Sequence, residues 1–291
     1  MIPAAFDYYA PASLADAIGF LSSHQDEAKL LAGGQSLIPL MKLRLASPCY
    51  LVDLGRIPGL SYIREDGTPT MERQIAIGAL TPYAHLEESD LLRRLCPLLI
   101  QTASVVADVQ TRNRGTLGGS LANADPSADM PAAVLALEAK IKVAGPEGER
   151  WVKAEEFFMG LFTTALSPNE ILTEIRIPLL AGFTSAYLKA APKAGGFAIV
   201  GVAVSLKEST DRTCEEIRIG VTGLTERPFR ARATEAALRG KVLERSVIDA
   251  AAATVTEQVD VFDNVHASSA YRSYLARLYV RRAIQAARRL P

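Results

Sequence analysis

Two paired-glycine segments constrain this chain of 291 residues more than any other feature. The first, Ala32-Gly33-Gly34-Gln35-Ser36, ends a strand-like run at residues 29–32. The second, Thr116-Leu117-Gly118-Gly119-Ser120, repeats the pattern much later, again with glycines flanked by hydroxyl residues. Glycine admits a positive φ and lets a phosphate come close to main-chain N–H groups. Ser36 adds a hydroxyl donor. Either segment alone is equally a tight strand-to-helix turn. Two of them in one domain can clamp a pyrophosphate from both sides, their N–H dipoles offsetting its charge. Neither is followed by Gly-Lys-Ser/Thr and neither is GxGxxG, so the usual ATPase and Rossmann explanations fail.

Around these segments, strand and helix signals mix without a strict βαβ rhythm, which favours α+β over a doubly wound parallel sheet. Ser13 opens a helix: Ser13 and Asp16 have capping-box-like spacing, and Leu14, Ala17, Ile18 and Leu21 recur on one face. Residues 29–32, 50–54 and 74–80 read as strands. Residues 91–107 read as one helix, continued by a polar, glycine-rich stretch over 108–119. Asp125-Pro126 offers a helix start, with Asp as N-cap and Pro at the first position. A short helix at 132–137 and a strand at 140–143 follow. Near Pro178 the character changes. Turn formers crowd 182–196, strands follow at 198–206 and 217–221, and helices at 231–239, 246–258 and 268–289 close the chain. The reading is one domain over 1–178 and a smaller one over 179–291.

Composition removes several function classes. Apolar residues make up 49% and charged residues 22%, which is a soluble globular protein with a real core. Lys+Arg and Asp+Glu balance at 32 each, which argues against a nucleic-acid binder. The N-terminus lacks a basic segment followed by an apolar one, and no apolar run is long enough to span a bilayer. Cys49, Cys96 and Cys214 lie far apart with no CxxC, so no zinc or iron–sulfur site is expected in this chain, and a reducing cytoplasm is. His24, His85 and His266 have no catalytic partner in sequence and read as surface or packing residues. Arg272, Arg277, Arg281, Arg282, Arg288 and Arg289 read as a solvated helix face, with a subunit contact as the alternative. Trp151 falls in an expected edge strand and has no assigned role.

With these residues in view, the chain resembles the medium, flavin-binding subunit of the xanthine dehydrogenase, or molybdenum hydroxylase, family. The aerobic molybdenum carbon monoxide dehydrogenase branch is the nearest likeness. Ala32-Gly33-Gly34-Gln35-Ser36-Leu37-Ile38-Pro39-Leu40-Met41-Lys42 resembles the first FAD segment. Gln110-Thr111-Arg112-Asn113-Arg114-Gly115-Thr116-Leu117-Gly118-Gly119 resembles the approach to the second. The likeness continues through Ile171-Leu172-Thr173-Glu174-Ile175-Arg176-Ile177-Pro178 and Val280-Arg281-Arg282-Ala283 and covers nearly the whole chain. It implies a vanillyl-alcohol-oxidase-type (PCMH) FAD-binding domain of two subdomains, then a smaller α+β C-terminal flavoprotein domain of the carbon monoxide dehydrogenase type. The implied cofactor-binding residues are Ala32, Gly33, Gly34, Gln35 and Ser36, Thr116, Leu117, Gly118, Gly119 and Ser120, Asp129, Leu172, Lys189 and Phe197. Asp129 would accept bonds from ribityl hydroxyls or a ring N–H; the alternative is an ordinary first-turn acid. Phe197, in Gly195-Gly196-Phe197-Ala198, would lie against the flavin ring. Lys189 would be a cation near the flavin, or else a solvated surface lysine. Gln35 stands where many relatives have His. Both can donate a hydrogen bond, and the change points to non-covalent FAD.

The implied function is electron transfer. Molybdenum cofactor and 2Fe–2S clusters would sit only in partners, a large and a small subunit, assembled with this chain as a dimer of heterotrimers in the cytoplasm or at the inner face of the membrane. No catalytic acid, base or nucleophile is assigned to this chain. The rival readings are a stand-alone FAD-dependent oxidoreductase of the same fold and a non-catalytic nucleotide-binding module. The substrate, whether carbon monoxide, purine, N-heterocycle or aldehyde, is chosen in the large subunit and is not written here.

Overall fold

The computed structural model describes residues 2–67, 73–192 and 196–288. The helix Leu14–Ser23 begins where expected, the Ser13 hydroxyl accepting from the Asp16 N–H at 3.1 Å. Its Ala17 and Leu21 pack with Val52 and Leu54 over a small sheet. In that sheet Tyr50–Asp53 is central, with Asp7–Tyr9 and Ala28–Leu31 parallel to it on either side. The strand Asp7–Tyr9, too short to show a period, is an addition to the sequence reading. A five-stranded antiparallel sheet follows, ordered Ile63–Asp66, Gln74–Gly78, Ile171–Pro178, Lys140–Gly145 and Gly148–Lys153. Trp151 lies on its last strand, an edge, with the Arg176 guanidinium 4.7 Å from the ring centre.

The second half is built on a four-stranded antiparallel sheet: Thr184–Ala190, Val200–Glu208, Cys214–Thr222 and Phe229–Arg230. The strand Val200–Glu208 is buried continuously from Val200 to Leu206 because both its faces are covered. The long helix Ser269–Ala287 covers one, and the short helix Met130–Ala136 packs against the same strand and its neighbour. Every residue of Met130–Ala136 is buried, as expected of a helix apolar on all sides. Truncating a large apolar side chain in this layer costs about 2–5 kcal/mol. The fold is α+β. Among the described residues, no helix is long and apolar enough to cross a membrane.

The structure corrects or refines the sequence reading at four places. The single helix over 91–107 is two, Asp90–Leu95 and Pro97–Ser104. Cys96 between them sits at φ −151°, because proline pushes the preceding residue out of the helical region. The polar, glycine-rich stretch 108–119 falls into two helix starts: Asp108 caps the helix Val109–Arg114, and Thr116 caps the helix Leu117–Asn123. Asp125 does not start a helix. Its carboxylate accepts from the Ser127 N–H at 2.8 Å, and the helix begins at Met130 instead. Within the turn-rich 182–196 lies the full strand Thr184–Ala190. Residue Gly195, part of the Phe197 segment, is outside the described residues.

Candidate flavin site

The two glycine segments meet, and each glycine has its own reason. A side chain on Gly33 would place its Cβ 2.0 Å from the Arg114 carbonyl oxygen and 2.9 Å from Gly115 Cα. Gly34 alone of the four needs the left-handed region, at φ +74°. A Cβ on Gly118 would fall 2.8 Å from Ala79 Cα. One on Gly119 would fall 2.6 Å from Thr116 Oγ1 and 3.4 Å from Ala32 Cβ. Three of the four glycines therefore serve close packing, Gly33 against the approach to the second segment, Gly118 on Ala79 and Gly119 on Thr116 of its own turn, which sequence alone did not reveal.

The two segments also differ in what they offer. The N–H groups of Gly33, Gly34, Gln35 and Ser36 donate to no other described residue, and Gln35 and Ser36 are exposed. The second segment is the first turn of a helix, and its N–H donors from Leu117 to Ser120 are taken. Leu117 donates to the Thr81 carbonyl at 3.1 Å, Gly118 to the Ala79 carbonyl at 2.9 Å, and Gly119 to Thr116 Oγ1 at 3.1 Å. Ser120 donates to the Thr116 carbonyl. The expectation of N–H dipoles converging from both sides is thereby corrected: the free donors lie on the first segment, while the glycines of the second let it pack on Ala79 and close its own turn at Thr116. Leu117 is fully buried, so its side chain faces the core, as does that of Leu172. Leu172 is nonetheless next to the site's frame. The carbonyl of the following Thr173 accepts from the Ala79 N–H, and Ala79 is the residue on which Gly118 rests.

Beyond the segments, Asp129 and Lys189 form a buried ion pair. The ammonium donates to Asp129 Oδ2 at 2.8 Å and to the Val105 carbonyl at 3.1 Å. The side chains are 7% and 5% exposed for Lys189 and Asp129, so Lys189 is not a solvated surface lysine. The Tyr187 hydroxyl donates to Asp129 Oδ1 at 2.5 Å. Burial pushes the Asp129 carboxyl upward; Lys189 and Tyr187 pull it down, and Asp125 adds to the rise. Burial, then the Asp129 charge, hold the Tyr187 phenol well above its ordinary range. Tyr83 is buried beside Ser120 with its ring against Gly115, and burial raises its phenol too. Neither tyrosine was a sequence candidate. The signal for Tyr187 was its i, i+2 spacing from Lys189, which puts both on one face once the strand is recognised.

Phe197 is 66% exposed, so it is not an ordinary core phenylalanine. Its position is set by its neighbour: Ala198 N–H donates to the Ser127 carbonyl at 3.2 Å. The same 125–129 stretch is fastened again by Thr222, whose hydroxyl donates to Pro126 and Ala128 carbonyls at 2.7 and 2.8 Å. Arg272, expected on a solvated face, is 1% exposed. It donates to the Ile199 and Gly223 carbonyls at 2.6 and 2.5 Å and to Asn264 at 2.7 Å, and it lies over Phe262. Gly223 N–H in turn donates to Pro126. The expectation for the histidines holds: His24 stacks on Phe20 at 4.2 Å, a packing role, and His85 and His266 are exposed.

The chain is similar to known proteins along nearly its whole length. Residues 4–180 match the family model of the FAD binding domain in molybdopterin dehydrogenase. Residues 185–287 match that of the CO dehydrogenase flavoprotein C-terminal domain. The chain is 39% identical to the carbon monoxide dehydrogenase medium chain of Hydrogenophaga pseudoflava, over 99% of this chain and 98% of that one. It is 36% identical to the glyceraldehyde dehydrogenase medium chain of Sulfolobus acidocaldarius, over 98% and 99%. A solved carbon monoxide dehydrogenase from Hydrogenophaga pseudoflava superimposes with a TM-score of 0.94 at 41% identity, covering 99% of this chain and 98% of that one. With both halves matched and the fold shared end to end, the chain belongs to the family of FAD-binding medium subunits of molybdenum hydroxylases.

Proposed function

We propose that this chain carries electrons between an iron–sulfur partner subunit and an external acceptor by way of a non-covalently held FAD. The observation that carries the reading is the junction of the two glycine segments, where the first has four successive N–H groups that no described residue claims. Such a row of donors fits a pyrophosphate, and the neighbouring wall at Gly118 and Gly119 admits it without a side chain in the way. The residues present therefore fit the cofactor of the family. Gly33, Gly34, Gln35 and Ser36 would hold the phosphates, with Ala32 against Gly119 closing the far side and Thr116 and Ser120 fixing that wall. Asp129 would accept from a ribityl hydroxyl or a ring N–H. Phe197, exposed and anchored through Ala198, would lie against the ring face. Leu117 and Leu172 would act from the core, by holding the frame.

Bound FAD supplies a redox group that takes up electrons singly and releases one or two. The chain's own residues bind and orient it. The carbon monoxide and glyceraldehyde dehydrogenase relatives match this chain over nearly its whole length at similar identity, which supports a substrate choice made in another subunit. We place domains at 1–178 and 179–291, and the assembly as a dimer of heterotrimers in the cytoplasm or at the inner face of the membrane. Co-expression with the flanking genes, followed by size-exclusion chromatography and absorption spectroscopy, tests the proposal. The expected result is co-elution with a small and a large subunit, flavin bands, and no substrate oxidation by this chain alone. A chain that elutes alone beside those partners and turns over substrate unaided is instead a stand-alone oxidase.

A further inference from the structure

The buried cluster around Asp129 carries an assignment beyond a general binding role. Lys189 could act directly, as a free cation beside the cofactor. The geometry speaks against that, because two of its three N–H donors are engaged and its side chain is buried. It donates to Asp129 Oδ2 at 2.8 Å and to the Val105 carbonyl at 3.1 Å, and its side chain is 7% exposed. Tyr187, two residues earlier on the same strand, holds the other carboxylate oxygen. Gln101 fixes the strand there, its Oε1 accepting from the Tyr187 N–H at 3.0 Å. We propose that Lys189 is a positioning residue that acts on the flavin site through Asp129, as the buried counter-ion that keeps this carboxylate a charged acceptor.

The physical reason is the cost of an unpaired buried charge. A carboxylate out of water neutralises itself by taking a proton unless a counter-ion offsets the burial. Among the described residues the groups facing Asp129 are Lys189 and Tyr187 from the strand Thr184–Ala190, Asp125 from the preceding turn, and Tyr83 from the helix Tyr83–Glu88. Lys189 is the only cation among them, and Asp125 works against ionisation. Removing the ammonium charge shifts protonation of Asp129 to higher pH. A protonated Asp129 loses acceptor capacity toward hydroxyls and N–H groups, so cofactor affinity falls as pH falls. Below the midpoint the ionised fraction drops about tenfold per pH unit.

The assignment rests on the proposed place of Asp129 at the cofactor, and the test separates the two. FAD affinity of the full chain is titrated by flavin fluorescence from acidic to alkaline pH, with thermal melting of the cofactor-free chain measured alongside. Lys189→Gln removes the charge and keeps a donor. Its affinity should fall with falling pH, with a midpoint above that of the wild type. Lys189→Met should do the same if it folds. Lys189→Arg should restore the wild-type profile, and Asp129→Asn with Lys189→Gln should abolish the pH dependence. Melting of Lys189→Gln should decline as pH rises toward the new midpoint, since the folded state there holds the proton more tightly than the unfolded chain. A Lys189→Gln profile that coincides with the wild type, while Asp129→Asn weakens FAD, overturns the assignment alone. If Asp129→Asn leaves FAD affinity unchanged at every pH, the placement of Asp129 falls as well, and the assignment with it.

Discussion

Gly33→Ala tests the site at its tightest point. The new Cβ would sit 2.0 Å from the Arg114 carbonyl oxygen, 2.8 Å from its carbon and 2.9 Å from Gly115 Cα, all backbone atoms that cannot swing aside. Unstrained contact between carbon atoms needs about 3.5 Å or more, so the two segments must part by roughly 1 Å. Overpacking of this kind costs about 1–3 kcal/mol. For a chain of this size that lowers the melting temperature by roughly 2–6 °C. The larger effect falls on the ligand. Each N–H bond to a charged group contributes about 1.5–3 kcal/mol, so misplacing one weakens FAD binding about 10–150-fold. Flavin fluorescence titration and differential scanning calorimetry on the full chain measure both. Gly19→Ala is the control, since nothing lies within 4 Å of a Cβ there and the residue is in the helix Leu14–Ser23. It should bind FAD normally and gain up to about 1 kcal/mol. Wild-type affinity and melting in Gly33→Ala would show that the segments do not meet as described.

Arg272→Met leaves the Ile199 and Gly223 carbonyls without their donor, at about 1–3 kcal/mol for each, and calorimetry should show a large loss of stability. FAD affinity should fall with it, because Gly223 and Ala198 fasten the 125–129 stretch. Acid precipitation of the purified flavoprotein should leave all the flavin in the supernatant, since Gln35 offers no imidazole and neither glycine segment contains cysteine; flavin retained in the pellet would contradict this. Glu170 is held below its ordinary value of 4.5, first by its bonds from Arg150. Its contribution is therefore present above that value and lost as pH falls through the depressed one. Arg150→Leu should lower the melting temperature at neutral pH and make the acid decline below pH 4.5 shallower.

Much of the frame was legible because it rests on local chemistry. Ser13 with Asp16 marked a helix start, and Gly33-Gly34 marked the end of a strand. Pro97 could have marked the helix break at Cys96, but the apolar period runs through it. The strand Thr184–Ala190 was masked by the turn formers around it, and with it went the shared face of Tyr187 and Lys189. Non-local contacts were out of reach. Asp129 meets Lys189 because the strand Thr184–Ala190 and the start of Met130–Ala136 come together in space. Gly33 meets Gly115 by the same kind of long closure. A glycine in sequence shows only that a side chain is missing, and not which neighbour requires it. Arginine likewise reads as solvated by default, whereas Arg272 finds three oxygen acceptors only after Ile199, Gly223 and Asn264 have been gathered around it.

The helix Met130–Ala136 bears on how such chains can be divided. It belongs by sequence to the first family match, yet it lies on the second sheet so closely that a Cβ on Gly220 would come within 2.0 Å of the Ala132 carbonyl oxygen. A cut between the two matched regions would strip this helix of one of its walls and leave the sheet an uncovered apolar face. The halves are therefore not exchangeable cassettes. Grafting a relative's C-terminal region onto this chain would require residues 130–136 to travel with it, or Gly220 to be kept, for the graft to seat.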